Sequence, residues 1–285
     1  VKPAPFAYVR ATSLEHVFDL LDEYGDDARI LAGGQCLMAT LNMRLSAPEL
    51  LIDINRIDGL SGISVDGGTL RIGALTRHAE VAGSDDVARH APLIAKAMPH
   101  VAHVAIRNRG TFGGSVAFAD PAAELPAVCR AIRARFVLQG RNGTRTVEAN
   151  EFFHGLFETA REPNEVLVAT EIPSIADGEE KTAFLELARR HGDYAIVGLA
   201  AQGKVSGGTF SDMRLAFFGA GDRPILAETA NAALEGKAWS DETVAAAQAA
   251  LDADLDPMPD LNGSVATKMH LARVLTGRAL KELAA

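Results

Sequence analysis

Apolar residues at Leu14, Val17, Phe18 and Leu21 recur at helical spacing, with Ser13 placed to cap the start and Gly25 to end the run. Arg29-Ile30-Leu31-Ala32 then reads as a short buried strand and Leu51-Ile52-Asp53-Ile54 as a second, so residues 6–56 predict a small α/β unit. Leu70-Arg71-Ile72-Gly73-Ala74 alternates after an Asp66-Gly67-Gly68 turn and predicts a strand. Residues 79–82 and 92–98 predict helices. Asp120 followed by Pro121 reads as the N-cap and first position of a helix that places Leu125, Val128, Cys129 and Ile132 on one face. Residues 135–139 and 144–148 flank Asn142-Gly143, a hairpin signal.

Residues 173–180 are polar and rich in turn formers, and a domain boundary is expected there. It divides an N-terminal domain, 1–177, with subdomains of about 1–57 and 58–177, from a C-terminal domain, 178–285. Beyond it, 195–205 and 213–218 predict strands joined near Gly207-Gly208, and 241–251 and 267–283 predict helices. The whole reads as an α+β protein.

Composition removes several classes. The 285 residues are 48% hydrophobic and 23% charged, which suits a folded core rather than a disordered chain. A net charge of -9 argues against a broad nucleic-acid surface. No apolar run reaches the ~18 residues of a membrane span, and Val1-Lys2-Pro3-Ala4-Pro5 carries no signal-peptide core, so a cytoplasmic protein is expected. The two cysteines, Cys36 and Cys129, are too few to hold a zinc ion or an iron–sulfur cluster alone. His100 and His103, with His78 and His90 nearby, have no Glu or Cys in a ligand-like spacing, so no metal site is expected. The serines lack a G-x-S-x-G elbow, and no residue stands out as an acid or base for substrate chemistry.

Two diglycine segments remain: Ala32-Gly33-Gly34-Gln35-Cys36 and Thr111-Phe112-Gly113-Gly114-Ser115. A Gly-Gly step has no Cβ, so backbone can approach a bulky anion and aim N–H groups at it. Two such segments suggest a long ligand held at two points, as a dinucleotide is. A ligand-free strand-to-helix turn is equally open for the first, and a surface loop before a capped helix for the second. Neither segment fits G-x-G-x-x-G or G-x-x-x-x-G-K-[ST]. Arg107, Arg109, Arg189 and Arg190 are open to roles as solvated charges, a phosphate clamp or a partner contact.

In Ile30-Leu31-Ala32-Gly33-Gly34-Gln35, in the run from Ile106 to Ser115, in Asp120-Pro121-Ala122-Ala123-Glu124-Leu125-Pro126 and in Arg189-Arg190-His191-Gly192-Asp193-Tyr194-Ala195, the chain resembles the FAD-binding medium subunit of the molybdenum hydroxylases, the family of carbon monoxide dehydrogenase and xanthine dehydrogenase. The resemblance covers essentially the whole length. It implies a PCMH-type FAD-binding domain of two α/β subdomains, followed by a smaller α+β domain with a three-stranded antiparallel sheet. It also implies that Ala32, Gly33, Gly34, Gln35, Cys36, Thr111, Gly113, Gly114 and Ser115 cradle the FAD pyrophosphate, that Glu124 and Asp120 bind FAD hydroxyls, and that Leu167 and Tyr194 border the flavin. The implied partners are a large subunit with the molybdenum cofactor and a small one with [2Fe–2S] clusters, in a dimer of heterotrimers that passes electrons to an external acceptor. Relatives often carry Ser or Thr where this chain has Cys36 and Asn where it has Ser115, and some carry a lysine near Leu185-Glu186 that is missing here. A stand-alone FAD-dependent reductase of related fold and a non-catalytic nucleotide-binding assembly module are the competing readings.

Overall fold

The computed structural model describes residues 2–285. The N-terminal segment holds β1 (Ala7–Arg10), α1 (Leu14–Tyr24), β2 (Ala28–Leu31), α2 (Leu37–Asn42) and β3 (Leu50–Asp53), and its strands form a parallel sheet in the order β1-β3-β2. The Ser13 hydroxyl accepts from His16 N–H at 3.2 Å, and the Gly25 N–H returns to the Leu21 carbonyl, so α1 starts and stops as its sequence predicts. Val17, Phe18 and Leu21 pack on Leu50 and Ile52.

The second unit contains β4 (Ile63–Asp66), β5 (Thr69–Gly73), α3 (His78–Ala82), α4 (Asp85–His90), α5 (Pro92–Ala97), α6 (Val104–Arg107), α7 (Phe112–Phe118) and α8 (Glu124–Ala131). It continues through β6 (Arg135–Gly140), β7 (Gly143–Glu148), α9 (Ala149–Phe152), β8 (Phe153–Gly155), β9 (Glu158–Thr159) and β10 (Val166–Pro173). Its five-stranded sheet, ordered β4-β5-β10-β6-β7, is antiparallel at every pairing. The third unit has β11 (Glu180–Ala188), β12 (Ala195–Ser206), β13 (Thr209–Phe218), β14 (Ile225–Leu226), α10 (Glu228–Leu234), α11 (Asp241–Asp254) and α12 (Val265–Ala284). The expected three-stranded sheet is present as β11-β12-β13 and gains the two-residue edge strand β14. None of these helices is long and apolar enough to cross a membrane.

Two local expectations shift. The helix expected to start at Asp120-Pro121 starts at Glu124. Ala119 at φ 54° ends α7, and the Asp120 carboxylate accepts the Ala122 N–H at 2.9 Å, closing a turn instead of capping a helix. The second diglycine is not a loop: Gly113 and Gly114 lie in the first turn of α7, behind the N-cap Thr111.

Helix α8 is buried around its circumference, from Leu125 through Cys129 and Ala131. One face meets α5, α7 and α9 of the second unit. The core it belongs to also contains Phe184, Ala200, Ala216 and Phe218 from the C-terminal sheet. A helix buried on nearly every side needs cover all round, and the C-terminal sheet supplies one side and the helices of the second unit the other.

Candidate functional site

The two glycine segments meet. A Cβ on Gly33 would collide with the Arg109 carbonyl and stand 2.8 Å from Gly110 Cα, and a Cβ on Gly114 would stand 3.7 Å from Ala32 Cβ. Contact this close between backbones is available only without side chains. Three residues outside the predicted set hold the junction. Asn55 donates to the Ala32 carbonyl at 2.8 Å and to Asp53 at 2.6 Å. Arg77 donates to Asn55 at 2.7 Å and to the Arg109 carbonyl. His78 donates from Nε2 to the Thr111 carbonyl at 2.9 Å, while its own backbone N–H reaches Gly110. Burial keeps the His78 ring neutral, lowering its pKa to about 4. The histidine weighed as a metal ligand is thus a brace, and among the described residues no cluster of three or more His, Cys, Asp or Glu could hold a metal. Asn55 was detectable from its place just past a parallel strand, the edge where ligands gather in open α/β sheets. Arg77 and His78 had no such signal.

The two segments offer different chemistry. In the first, Gly34 adopts φ +75°, and among the described residues the N–H groups of Gly34, Gln35, Cys36 and Leu37 have no acceptor in the protein. Four consecutive free donors around a left-handed glycine form a concavity suited to an anion. The Gln35 side chain folds back to the Gly33 carbonyl at 3.0 Å. In the second, the donors are engaged: Phe112 N–H to Thr76, Gly113 N–H to Ala74 and Gly114 N–H to Thr111 Oγ1. A Cβ on Gly113 would come within 2.5 Å of Ala74 Cβ, so this glycine serves close packing. The packing is anchored further back, because the Ala74 N–H bonds to Val168 at the irregularity of β10 beside Leu167. Leu167 itself is buried in the core.

A cleft of about 430 Å³ opens over Gly33, Gly34 and Gln35 between Arg10, Asn55 and Arg109. At the other end of the same turn, Cys36, Asp120, Glu124 and Tyr194 gather, although they come from three separate stretches of chain. Burial, reinforced by the nearby Asp120 and Glu124 carboxyls and partly offset by the hydrogen bond to Tyr194, sets the Cys36 thiol above its usual range. Tyr194 leaves 53% of its surface open, and burial of its hydroxyl end against Cys36 and Asp120 holds the phenol protonated. Burial raises Asp120 and pushes Glu124 up to about 7, reinforced for Glu124 by Glu186 and Asp120.

The Glu124 shift has a stability consequence. A carboxyl that binds its proton more tightly when folded loses that stabilisation as pH rises from its unfolded value near 4.5 through about 7. In the ligand-free chain, Glu124→Gln is expected to be more stable than the parent by about 3 kcal/mol at pH 8, with the difference vanishing near pH 4.5. Urea titrations at the two pH values measure it, and equal midpoints at pH 8 would refute the assignment.

Residues 4–175 match the family described as FAD binding domain in molybdopterin dehydrogenase, and residues 182–283 match the CO dehydrogenase flavoprotein C-terminal domain. The chain is 41% identical to the 6-hydroxypseudooxynicotine dehydrogenase complex subunit alpha of Paenarthrobacter nicotinovorans, over 98% of this chain and 95% of that one. It is 39% identical to the carbon monoxide dehydrogenase medium chain of Hydrogenophaga pseudoflava, over 98% and 96%. It superposes with a TM-score of 0.96 and 40% identity on a solved chain of carbon monoxide dehydrogenase from the same organism, in a form lacking the Mo-pyranopterin moiety, covering 99% and 98%. The chain therefore belongs to the FAD-binding medium subunits of the molybdenum hydroxylases and is an oxidoreductase component.

Proposed function

We propose that the two ends of the β2–α2 turn hold one FAD molecule, whose electrons arrive from the [2Fe–2S] clusters of a small partner subunit and leave to an external acceptor. The observation that carries this is the row of four free amides at Gly34, Gln35, Cys36 and Leu37, flanked by Arg10 and Arg109. A diphosphate is the part of FAD that such a row would bind, so the residues fit the cofactor. Ala32 and Gly33 keep the turn against the second segment. Thr111, Gly113 and Gly114 shape α7 so that the Ser115 hydroxyl borders the site. Asp120 and Glu124 would accept from FAD hydroxyls, and Tyr194 and the backbone near Leu167 would border the ring. Bound FAD exchanges electrons singly with a cluster and in pairs with a two-electron acceptor.

The chain contributes position and electrostatics, and substrate chemistry belongs to a large molybdopterin subunit. Two relatives of nearly equal identity, 41% and 39%, carry names with unrelated substrates, 6-hydroxypseudooxynicotine and carbon monoxide. That supports a medium subunit that does not select substrate. A cytoplasmic dimer of heterotrimers is the assembly that fits this role. The polar link between β10 and β11 supports a division into an FAD-binding domain, 1–177, and a flavoprotein C-terminal domain, 178–285.

The test is an absorbance spectrum of the purified chain and chromatography of what it releases on denaturation. Flavin bands and released FAD, not FMN, are expected. A folded, colourless protein that takes up no FAD offered in excess would end the proposal. Co-purification with an iron–sulfur protein and a molybdoprotein tests the partners. Oxidation of NADPH by the isolated chain with a small-molecule acceptor would favour the stand-alone reductase instead.

A further inference from the structure

Strand β11 points Phe184 and Glu186 to the same face, toward the core shared with the second unit. The Phe184 ring lies tilted against His100 with ring centroids 5.0 Å apart, and Glu186 Oε1 lies 3.1 Å from His100 Nδ1. The Glu186 side chain is only 4% exposed, and its second oxygen, Oε2, has no hydrogen-bond partner in the protein. A buried carboxylate oxygen with no donor is costly unless its charge is needed or it carries a proton. Two titratable groups face this carboxyl, His100 and Glu124, and one more stands behind each of them. His100 approaches from the loop after α5 with His191 of the β11–β12 loop 6.0 Å behind it, and Glu124 feels the charge from α8 with Asp120, in the turn before α8, beside it. The nearest amine on α5, Lys96, is directed away, to the Thr182 carbonyl and Glu282. No cation among these is fixed beside Glu186: His100 is itself disfavoured as a cation by burial.

We propose that Glu186 is the proton store of the flavin site: its carboxylate takes up one proton, delivered through the half-buried His100, each time the bound FAD gains two electrons, and releases it when the FAD is reoxidised. This rests on the FAD reading above. The balance is simple. Two electrons from a one-electron donor (the partner cluster in the complex, dithionite in the test) reduce the ring, which takes one proton and keeps one negative charge. A second proton passes from solvent through the imidazole, 33% of which is exposed, onto Glu186. Reoxidation by the acceptor returns both protons. Glu124, next to the proposed FAD hydroxyls, already feels the charge of Glu186, so charge on one side of the cluster reaches the other. Burial sets the Glu186 carboxyl at about 7, so with oxidised FAD it is half ionised at pH 7 and mostly ionised at pH 8, and it can accept a proton when negative charge arrives.

The test is spectroelectrochemical titration of the full chain carrying FAD. For a two-electron couple, one proton taken up shifts the midpoint potential by about 30 mV per pH unit and two protons by twice that. Between pH 7 and 8 the parent is expected to show the steeper slope and Glu186→Gln the shallower one. Glu186→Asp, which keeps the acid, is expected to recover most of the steeper slope. Equal slopes in parent and Glu186→Gln, both with FAD bound, would overturn the inference and leave FAD binding intact. A parent that binds no FAD overturns both, and its lack of colour identifies that case before any titration. If the carboxyl serves only as a structural partner of His100, Glu186→Gln lowers the melting temperature and leaves the slope unchanged, which also overturns the proposal.

Discussion

Gly33→Val is expected to weaken FAD binding roughly 100-fold, enough to lose the cofactor during purification. The introduced Cβ meets the Arg109 carbonyl and Gly110 Cα, both backbone. Backbone cannot rotate aside as a side chain can, so the cost should fall near the upper end of overpacking, about 3 kcal/mol, which is about two orders of magnitude in dissociation constant. Relief can come only from separating the segments whose contact builds the site. Gly114→Val should have a related but smaller effect. Its Cβ would stand 2.5 Å from Thr111 Oγ1, displacing the cap of α7 and pushing toward Ala32. Gly83→Ala is the control, since a Cβ there meets nothing nearer than the Ala79 carbonyl at 3.5 Å. Equilibrium dialysis with FAD reads the three variants. Parent-like affinity in Gly33→Val would show that the junction of the two segments does not shape the cofactor site.

Arg214→Ala is expected to cost roughly 3–5 kcal/mol of stability, the usual loss when one partner of a buried ion network is removed. Arg214 is 4% exposed on β13. It donates to the Ala131 carbonyl at the end of α8 at 2.7 Å, to the Asp212 carboxylate at 2.8 Å and to Glu180. It therefore ties the C-terminal sheet to the FAD-binding domain, and its loss leaves Glu180 and Asp212 without their shared cation. Arg133 also pairs with Asp212 but is half exposed, so Arg133→Ala should cost only about 0–1 kcal/mol. Urea unfolding of the two variants separates the cases. A loss below about 1 kcal/mol in Arg214→Ala would mean that the network contributes no net stability.

The elements that were legible in the sequence are those whose signals are local. Helix α1 carries its cap, its periodic face and its terminal glycine within thirteen residues, and the structure reproduces all three. The β6–β7 hairpin is announced by Asn142-Gly143 and forms with the pairing Gln139 to Thr144. Asp120 misled because a short carboxylate can cap a helix or close a turn, and the left-handed Ala119 before it selects the turn. The diglycine of α7 reads as a helix breaker, yet the helix starts one residue before it. The demand there is tertiary: no side chain fits between Gly113 and Ala74. The same limit applied to the site. Its glycine segments were visible as motifs, and Cys36, Asp120, Glu124 and Tyr194 do come together. Asn55 stands just past a parallel strand, where its place is a signal, but the braces Arg77 and His78 act through partners at positions 109 and 111, a separation that no local pattern encodes.

The burial of α8 between the C-terminal sheet and the helices of the second unit bears on how the chain is made. Residues 124–131 leave the ribosome well before Phe184, Ala200, Ala216 and Phe218, which complete their cover. At roughly 5–20 residues per second, that interval lasts several seconds. Throughout it the apolar face of α8 from Leu125 to Cys129 stays half wrapped, so the nascent chain presents a sticky surface until β13 has emerged, and this is the stretch of synthesis at which a chaperone has most to protect.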